Sequence, residues 1–333
     1  MVADLISMIL YNQGLAMMRG SLGLALRCCS NAGTLQSSMS FDNLRFDLKS
    51  PIGIVGLGLM GRAITERFLD AGYVVYVWNR TKQKADDLVA LGAIWSDCPL
   101  DQCSRVIISL YSSEVVGEVF QAWQDRFSPN QIVIDTTTGD PKASQTFAEL
   151  LAGRGGVYLE APISGSSQQT REGQATVIAA GDSDAFGACE DVWRVLGKET
   201  FYVGASGNAA KMKLVSNLVL GLNRAALAEG LALAEALKID LDASLEVLRG
   251  SGAYSKQMDT KGPKMVRSQY SVQARLSQHL KDVRLMLQCS EELGLELPLT
   301  QAHRRLLEKA QLQGLGDLDN SAIFEALRAR GNS

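Results

Sequence analysis

Lys213 and Asn217 stand four residues apart, so a helix through them would put an ammonium and a carboxamide on one face. The spacing alone does not make the pair functional, and a solvated surface pair is the plainer reading. Upstream, the Ser164-Gly165-Ser166 turn offers a hydroxyl and main-chain N–H groups at close range, a cradle suited to a small carboxylate. A third constellation is Gly56-Leu57-Gly58-Leu59-Met60-Gly61. It follows the apolar run from Ile52 to Val55 and opens a helix-like stretch, the context in which such glycines bind a dinucleotide. Gly56 permits the tight turn, Gly58 lets main-chain N–H groups approach a pyrophosphate, and Gly61 lets the helix pack close to the strand. The helix N-terminus adds donors and partial positive charge.

About 20 residues beyond this turn, NAD-binding chains usually carry a carboxylate for the ribose hydroxyls. Here that place holds Asn79, followed by Arg80, Thr81 and Lys82. No carboxylate repels a 2′-phosphate, and Arg80 can grip one bidentately, which favours NADP(H) with NAD(H) as the alternative. The competing reading makes Arg80 and Lys82 plain surface charges.

These residues need elements to hold them. From Pro51 onward, β-branched apolar runs at Ile52 to Val55, Val74 to Trp78, Val106 to Leu110, Ile132 to Asp135 and Val157 to Glu160 read as strands. Helix-like segments alternate with them near residues 61–70, 82–91, 114–126 and 142–151. That alternation predicts an α/β, Rossmann-type doubly wound parallel sheet. After Asp184 the pattern turns helical, and residues 209–238 read as one long interdomain helix, free of proline. Further helices are expected near residues 241–248, 276–293, 300–312 and 321–329, giving an all-α second domain. The expected organisation is an extension over 1–48, a Rossmann-type NADP-binding domain over 49–208 and a helical substrate and oligomerisation domain over 209–330.

Composition narrows the partners. A formal net charge of -3 over 333 residues argues against nucleic acid and anionic membrane surfaces. No apolar run reaches the roughly 20 residues needed to span a bilayer. Six scattered cysteines without a CxxC pair, and only two histidines, argue against metal and for reduced thiols in a cytoplasmic setting. Residues 1–48 match an organelle transit peptide only in part, and a disordered extension or a start at Met39 is the preferred reading.

Taken together, these segments resemble the β-hydroxyacid dehydrogenase family, which includes 3-hydroxyisobutyrate dehydrogenases and glyoxylate/succinic semialdehyde reductases. The resemblance covers about Pro51 to Arg328. It is carried by GLGxMG at Gly56 to Gly61, AP(V/I)SGS at Ala161 to Ser166, GxGxxxKxxxN from Gly207 to Asn217, Lys281-Asp282, and GLGDLDxSA at Gly314 to Ala322. The details around Glu172-Gly173-Gln174 and Ala180-Gly181-Asp182 look most like the glyoxylate/succinic semialdehyde reductase branch.

The resemblance implies an oxidoreductase in which Lys213 protonates the reduced carbonyl, Asn217 orients it, and Ser164 with the N–H groups of Gly165 and Ser166 holds a carboxylate. It places Thr138 and Lys281 at the cofactor and Asp282 in the cleft. It further implies a small carboxylated carbonyl substrate, with 3-hydroxyisobutyrate oxidation as the alternative, and a homodimer or homotetramer. Imine reductases share the architecture but usually replace the lysine, and a silent cofactor-binding module would have lost Lys213, Asn217 and Ser164. The sequence departs from the pattern in three places. Ala209 replaces a glycine. Ala274, beside Arg275, stands where the reductase branch has a substrate-contacting Phe, which opens the pocket wall and lets Arg275 add a carboxylate contact. His279, just before Leu280-Lys281, matches no catalytic residue of the family and reads as helix surface or packing.

Overall fold

The computed structural model describes residues 50–328, so the extension over 1–48 lies outside the described residues. Four short apolar runs form the centre of the sheet: β1 (Ile52–Val55), β4 (Arg105–Ile108), β5 (Ile132–Asp135) and β6 (Val157–Glu160). All of their residues are buried, as parallel strands covered on both faces must be. Beyond β1 lie β2 (Val75–Trp78) and the two-residue β3 (Ile94–Trp95). The order β3-β2-β1-β4-β5-β6 is parallel throughout. It reverses direction at β1, which opens a crevice at the carboxyl ends of β1 and β4.

Helices α1 (Leu59–Asp70), α2 (Asp86–Ala90), α3 (Ser113–Ala122) and α4 (Pro141–Ala152) connect these strands. Pro141 sits in the first turn of α4 behind the Asp140 cap, where a missing N–H costs nothing. One face of the sheet buries Ile54, Ile64, Phe68 and Leu88. The other buries Val55, Val116, Phe120 and Phe147, with Phe120 edge-on to Tyr158. Each such side chain contributes about 1.5–3 kcal/mol of burial.

The strand runs read from the sequence stop at β6, but the sheet continues beyond it. Three more strands follow: β7 (Ile163–Ser164), β8 (Thr176–Gly181) and β9 (Glu199–Tyr202), with α5 (Ser167–Arg171), α6 (Ser183–Ala188) and α7 (Glu190–Leu196) between them. β8 runs antiparallel to β6 and β7 and parallel to β9. Their strand character comes from their partners more than from local pattern. β9 is mostly exposed, and β8 ends in Ala-Ala-Gly, so neither shows a strong period in sequence.

The second half is helical. α8 (Asn208–Ala236) has 29 residues and so runs about 44 Å. Its N-terminal part packs on β7, β8 and α4, and its remainder on α9 (Leu241–Gly250), α10 (Lys256–Thr260), α12 (Leu276–Glu292), α13 (Pro298–Leu312) and a closing 3₁₀ segment, Asn320–Ala326. α11 (Gly262–Val266) completes this half, whose own core gathers Leu227, Leu231, Leu280, Val283, Leu307, Ile323 and Phe324. Among the described residues no helix is long and apolar enough to cross a membrane.

Candidate active site

The glycine turn after β1 obeys three separate constraints. Gly56 has φ +95°, and a Cβ there would lie 2.3 Å from the Ser109 carbonyl oxygen. At Gly61 a Cβ would lie 1.8 Å from the Gly56 oxygen, so α1 can approach the turn only without a side chain. Gly58 is different, because a Cβ there would meet nothing within 4 Å. Its open side is a space for a ligand, and no side chain caps the first turn of α1. Unspent N–H groups at a helix start, facing an open cradle beside Leu59 and Met60, fit a dinucleotide pyrophosphate.

Asn79 has a structural role as well. Its Oδ1 accepts from Leu57 N at 3.0 Å, and its Nδ2 donates to the Thr81 carbonyl at 2.9 Å, tying the glycine turn to the loop after β2. Arg80 then stands exposed at the cleft edge with no hydrogen-bond or ion-pair partner among the described residues, while Lys82 lies over the Trp95 ring.

One cleft of about 760 Å³ runs from this turn, past Thr138 and Gly165, to Lys213, Asn217 and Asp282 on the helical side. The site lysine is positioned by a residue that the sequence did not single out. Glu160, at the end of β6, accepts from the N–H groups of Gly207 and of Ala210, the latter at 3.1 Å, and so caps the start of α8. About one and a half turns of helix then deliver Lys213 into the cleft wall, buried.

Burial pushes the Lys213 ammonium down to about 8, a shift that the Asp282 carboxylate opposes. Asp282 itself is raised by burial, against the pull of Lys281 and Lys213. Asn217 donates from Nδ2 to Asp282 Oδ2 at 3.1 Å, which fixes the carboxamide beside the lysine. An ammonium poised near neutrality, held beside a fixed amide in a largely dry cleft, can bind a carbonyl oxygen and pass it a proton.

The carboxylate cradle is smaller than the sequence suggests. Ser166 caps α5: its N–H donates to Gln169 Oε1 at 2.9 Å, and its Oγ accepts from Gln169 N at 3.2 Å. The expected Ser166 donor is therefore already used, and Gly165 is the one of the two free to face a ligand. Ser164 pairs with Thr176 across β7 and β8, and its neighbours Ile163 and Gly165 line the cleft.

Lys281 lies beside Thr138, the other residue expected near the nicotinamide. Its ammonium donates to the carbonyls of Thr138 at 2.7 Å and Tyr111 at 3.1 Å and pairs with Asp282 Oδ1 at 3.1 Å. It bridges α12 to the loops after β4 and β5. Arg275 stands at the start of α12 at the cleft mouth, half exposed and 3.8 Å from Asp317. His279 is buried, its ring 5.2 Å from that of His303. Sequence reasoning missed Arg224, which is fully buried and also borders the cleft. The available signal was an isolated arginine in a Leu- and Ala-rich helix, eleven residues after Lys213. No cluster of metal-ligating side chains occurs among the described residues.

Comparison with known proteins identifies the family and the fold. Residues 51–204 match the NAD-binding domain of 6-phosphogluconate dehydrogenase, and residues 207–327 match the profile described as the NAD-binding domain of NADP-dependent 3-hydroxyisobutyrate dehydrogenase. The chain is 35% identical over 283 residues to glyoxylate/succinic semialdehyde reductase 1 of Arabidopsis thaliana, covering 83% of this chain and 98% of that one. It is 33% identical to the chloroplastic reductase 2 of the same plant, covering 84% of this chain and 79% of that one. Among solved structures, a 3-hydroxyisobutyrate dehydrogenase from Salmonella typhimurium is 25% identical and superposes with a TM-score of 0.75, covering 83% of this chain and 99% of that one. Psf3 in complex with NADP+ and 2-OPP, 24% identical, shares the fold with a TM-score of 0.78 over 83% of this chain and 99% of that one.

Proposed function

This chain belongs to the β-hydroxyacid dehydrogenase family of NAD(P)-dependent oxidoreductases, and from that premise we propose that it reduces a small carboxylated aldehyde or keto acid with NADPH. The observation that carries this reading is the buried Lys213 ammonium, beside Asn217 and Asp282, in the same cleft as the glycine turn. The nicotinamide, when bound, supplies the hydride. Lys213 hydrogen-bonds the carbonyl oxygen and gives it a proton as negative charge develops there. Asn217, held by Asp282, keeps the lysine and the oxygen in register. Gly165 N–H and the Ser164 hydroxyl take the substrate carboxylate, with Arg275 at the mouth. That anchoring supplies the orientation hydride transfer needs.

Arg80 supports NADP(H) over NAD(H), since an exposed guanidinium with no carboxylate beside it is a ready partner for a 2′-phosphate. Thr138 and Lys281 act together: the lysine fixes the Thr138 carbonyl and so shapes the nicotinamide end of the cleft. Exposed apolar residues on α8, Val215, Val219 and Leu233, support assembly as a homodimer or homotetramer. The buried free thiols of Cys98, Cys103 and Cys189 fit a reducing compartment such as the cytoplasm.

The test is NADPH oxidation over glyoxylate, succinic semialdehyde and methylglyoxal, repeated with NADH. Turnover of the first two is expected; turnover of none of them would overturn the reading. The likeness to 3-hydroxyisobutyrate dehydrogenases favours one second reading, oxidation of a 3-hydroxy acid. NADP+ reduction by 3-hydroxyisobutyrate, at rates above those of carbonyl reduction, would establish it instead.

A further inference from the structure

The cleft does not end at Asn217. Lys213, Asn217, Leu220 and Arg224 all border it from α8. Eleven residues separate Lys213 from Arg224, which is close to three full turns and about 16 Å along the axis, so the two cations lie on one stripe. The guanidinium is shut off from bulk water, and none of its Nε, Nη1 and Nη2 atoms has a hydrogen-bond partner.

Its neighbours do not neutralise it. Asp319 is the carboxylate that acts on it, but both Asp319 oxygens are already taken. Lys261 donates to them at 2.8 and 2.9 Å, and Ser321 and the N–H groups of Gln273 and Ala274 fill the rest. Lys264 adds another positive charge 3.9 Å from Asp319. Burial keeps His279 and His303 neutral. Arg224 thus remains a buried cation without a counter-ion, a costly state that an anion relieves. The cleft wall leaves room for one, because Ala274 presents only a methyl group.

We propose that Arg224 is the receptor for an anionic group on the substrate, remote from the reacting carbonyl, and that it takes the carboxylate of longer substrates in place of the Ser164–Gly165 cradle, which serves the short ones. The substrate class is therefore a carbonyl acid whose terminal carboxylate lies several bonds from the carbonyl, longer than glyoxylate. This rests on the reading that Lys213 marks the reaction centre.

The experiment has two arms. In the first, kcat/KM with NADPH is measured for ω-carboxylated aldehydes of increasing length, starting from succinic semialdehyde, each against the neutral aldehyde of the same length. A charged–hydrogen-bond contribution gives the carboxylated member a preference of about ten- to a hundredfold at the favoured length. Arg224→Met brings that ratio close to one, and Arg224→Lys restores part of it. In the second arm, linear dicarboxylates are titrated calorimetrically into the protein with NADP+ present, and Arg224→Met weakens binding about tenfold or more. Replacing an unpaired buried charge by an apolar chain should preserve folding, which the melting curve checks.

The arms separate the two ideas. Arg224-dependent dicarboxylate binding without turnover of any carbonyl would sink the reduction reading and keep the anion site. Normal turnover with the charge preference and dicarboxylate affinity unchanged in Arg224→Met would overturn the anion site alone.

Discussion

The two walls of the cleft are built on opposite plans. On the sheet side the working groups are main-chain N–H donors, and glycines are what make them available. On the helical side they are buried charged side chains, Lys213, Arg224, Lys261 and Asp282, which the long helix and its neighbours carry into a dry interior. The first wall recognises a ligand common to many enzymes through shape. The second invests desolvation in particular charges, and the proposed chemistry and substrate choice rest on them.

The largest effects should come from breaking each wall at its own weak point. On the sheet side, Gly61→Ala forces a methyl into the Gly56 oxygen, 1.8 Å away, and is expected to cost about 1–3 kcal/mol or more in stability and to abolish saturable NADPH binding in a fluorescence titration. Gly58→Ala is its control. With nothing within 4 Å of the added methyl, the melting temperature should stay put while NADPH affinity falls. Equal loss of stability in both variants would end the claim that Gly58 is open for a ligand.

On the helical side, Lys213→Ala should lower kcat by about 10²–10⁴ and leave NADPH affinity unchanged. Unchanged turnover would remove Lys213 from the chemistry. A smaller effect is expected back at the sheet edge. Arg80→Ala should raise the NADPH KM about tenfold without moving that for NADH. If both cofactors weaken equally, Arg80 is not reading a 2′-phosphate.

The mildest test is a pH profile. Lys213 titrates at about 8, so its donatable proton is present below that pH and lost above it. kcat/KM for reduction should be flat toward pH 7 and fall about tenfold per pH unit well above 8. Because the Asp282 carboxylate holds Lys213 up, Asp282→Asn should move the break to lower pH. A break that stays in place would mean that another group sets it.

The two plans also explain what could be read in advance. The glycine turn, the strand runs at Ile52–Val55, Ile132–Asp135 and Val157–Glu160, and the span of the long helix were all legible, because backbone constraints and continuous apolar runs leave a local mark. β8 and β9 were not, since β8 depends on pairing with β6 and β7, and β9 on pairing with β8. Lys213 and Asn217 showed as a helical pair, but the Glu160 cap that aims them reaches Gly207 from 47 residues away. The Ser166 N–H looked available until Gln169 proved to close a capping box on it, a pattern that Ser-x-x-Gln did offer. Arg224 stayed hidden because a lone arginine in a helix reads as surface, and only three-dimensional packing put it inside.

One consequence follows from the length of α8. Its first turns are gripped by Glu160 and the sheet, while its later turns form part of the helical core. Fraying at either end would strip the shared helix from the other, so the two halves have little scope to melt independently. Calorimetry should therefore show a single cooperative transition across both, with amide exchange in the middle of α8 as slow as global unfolding permits. The segment bearing Lys213 would then be among the last parts of the molecule to open.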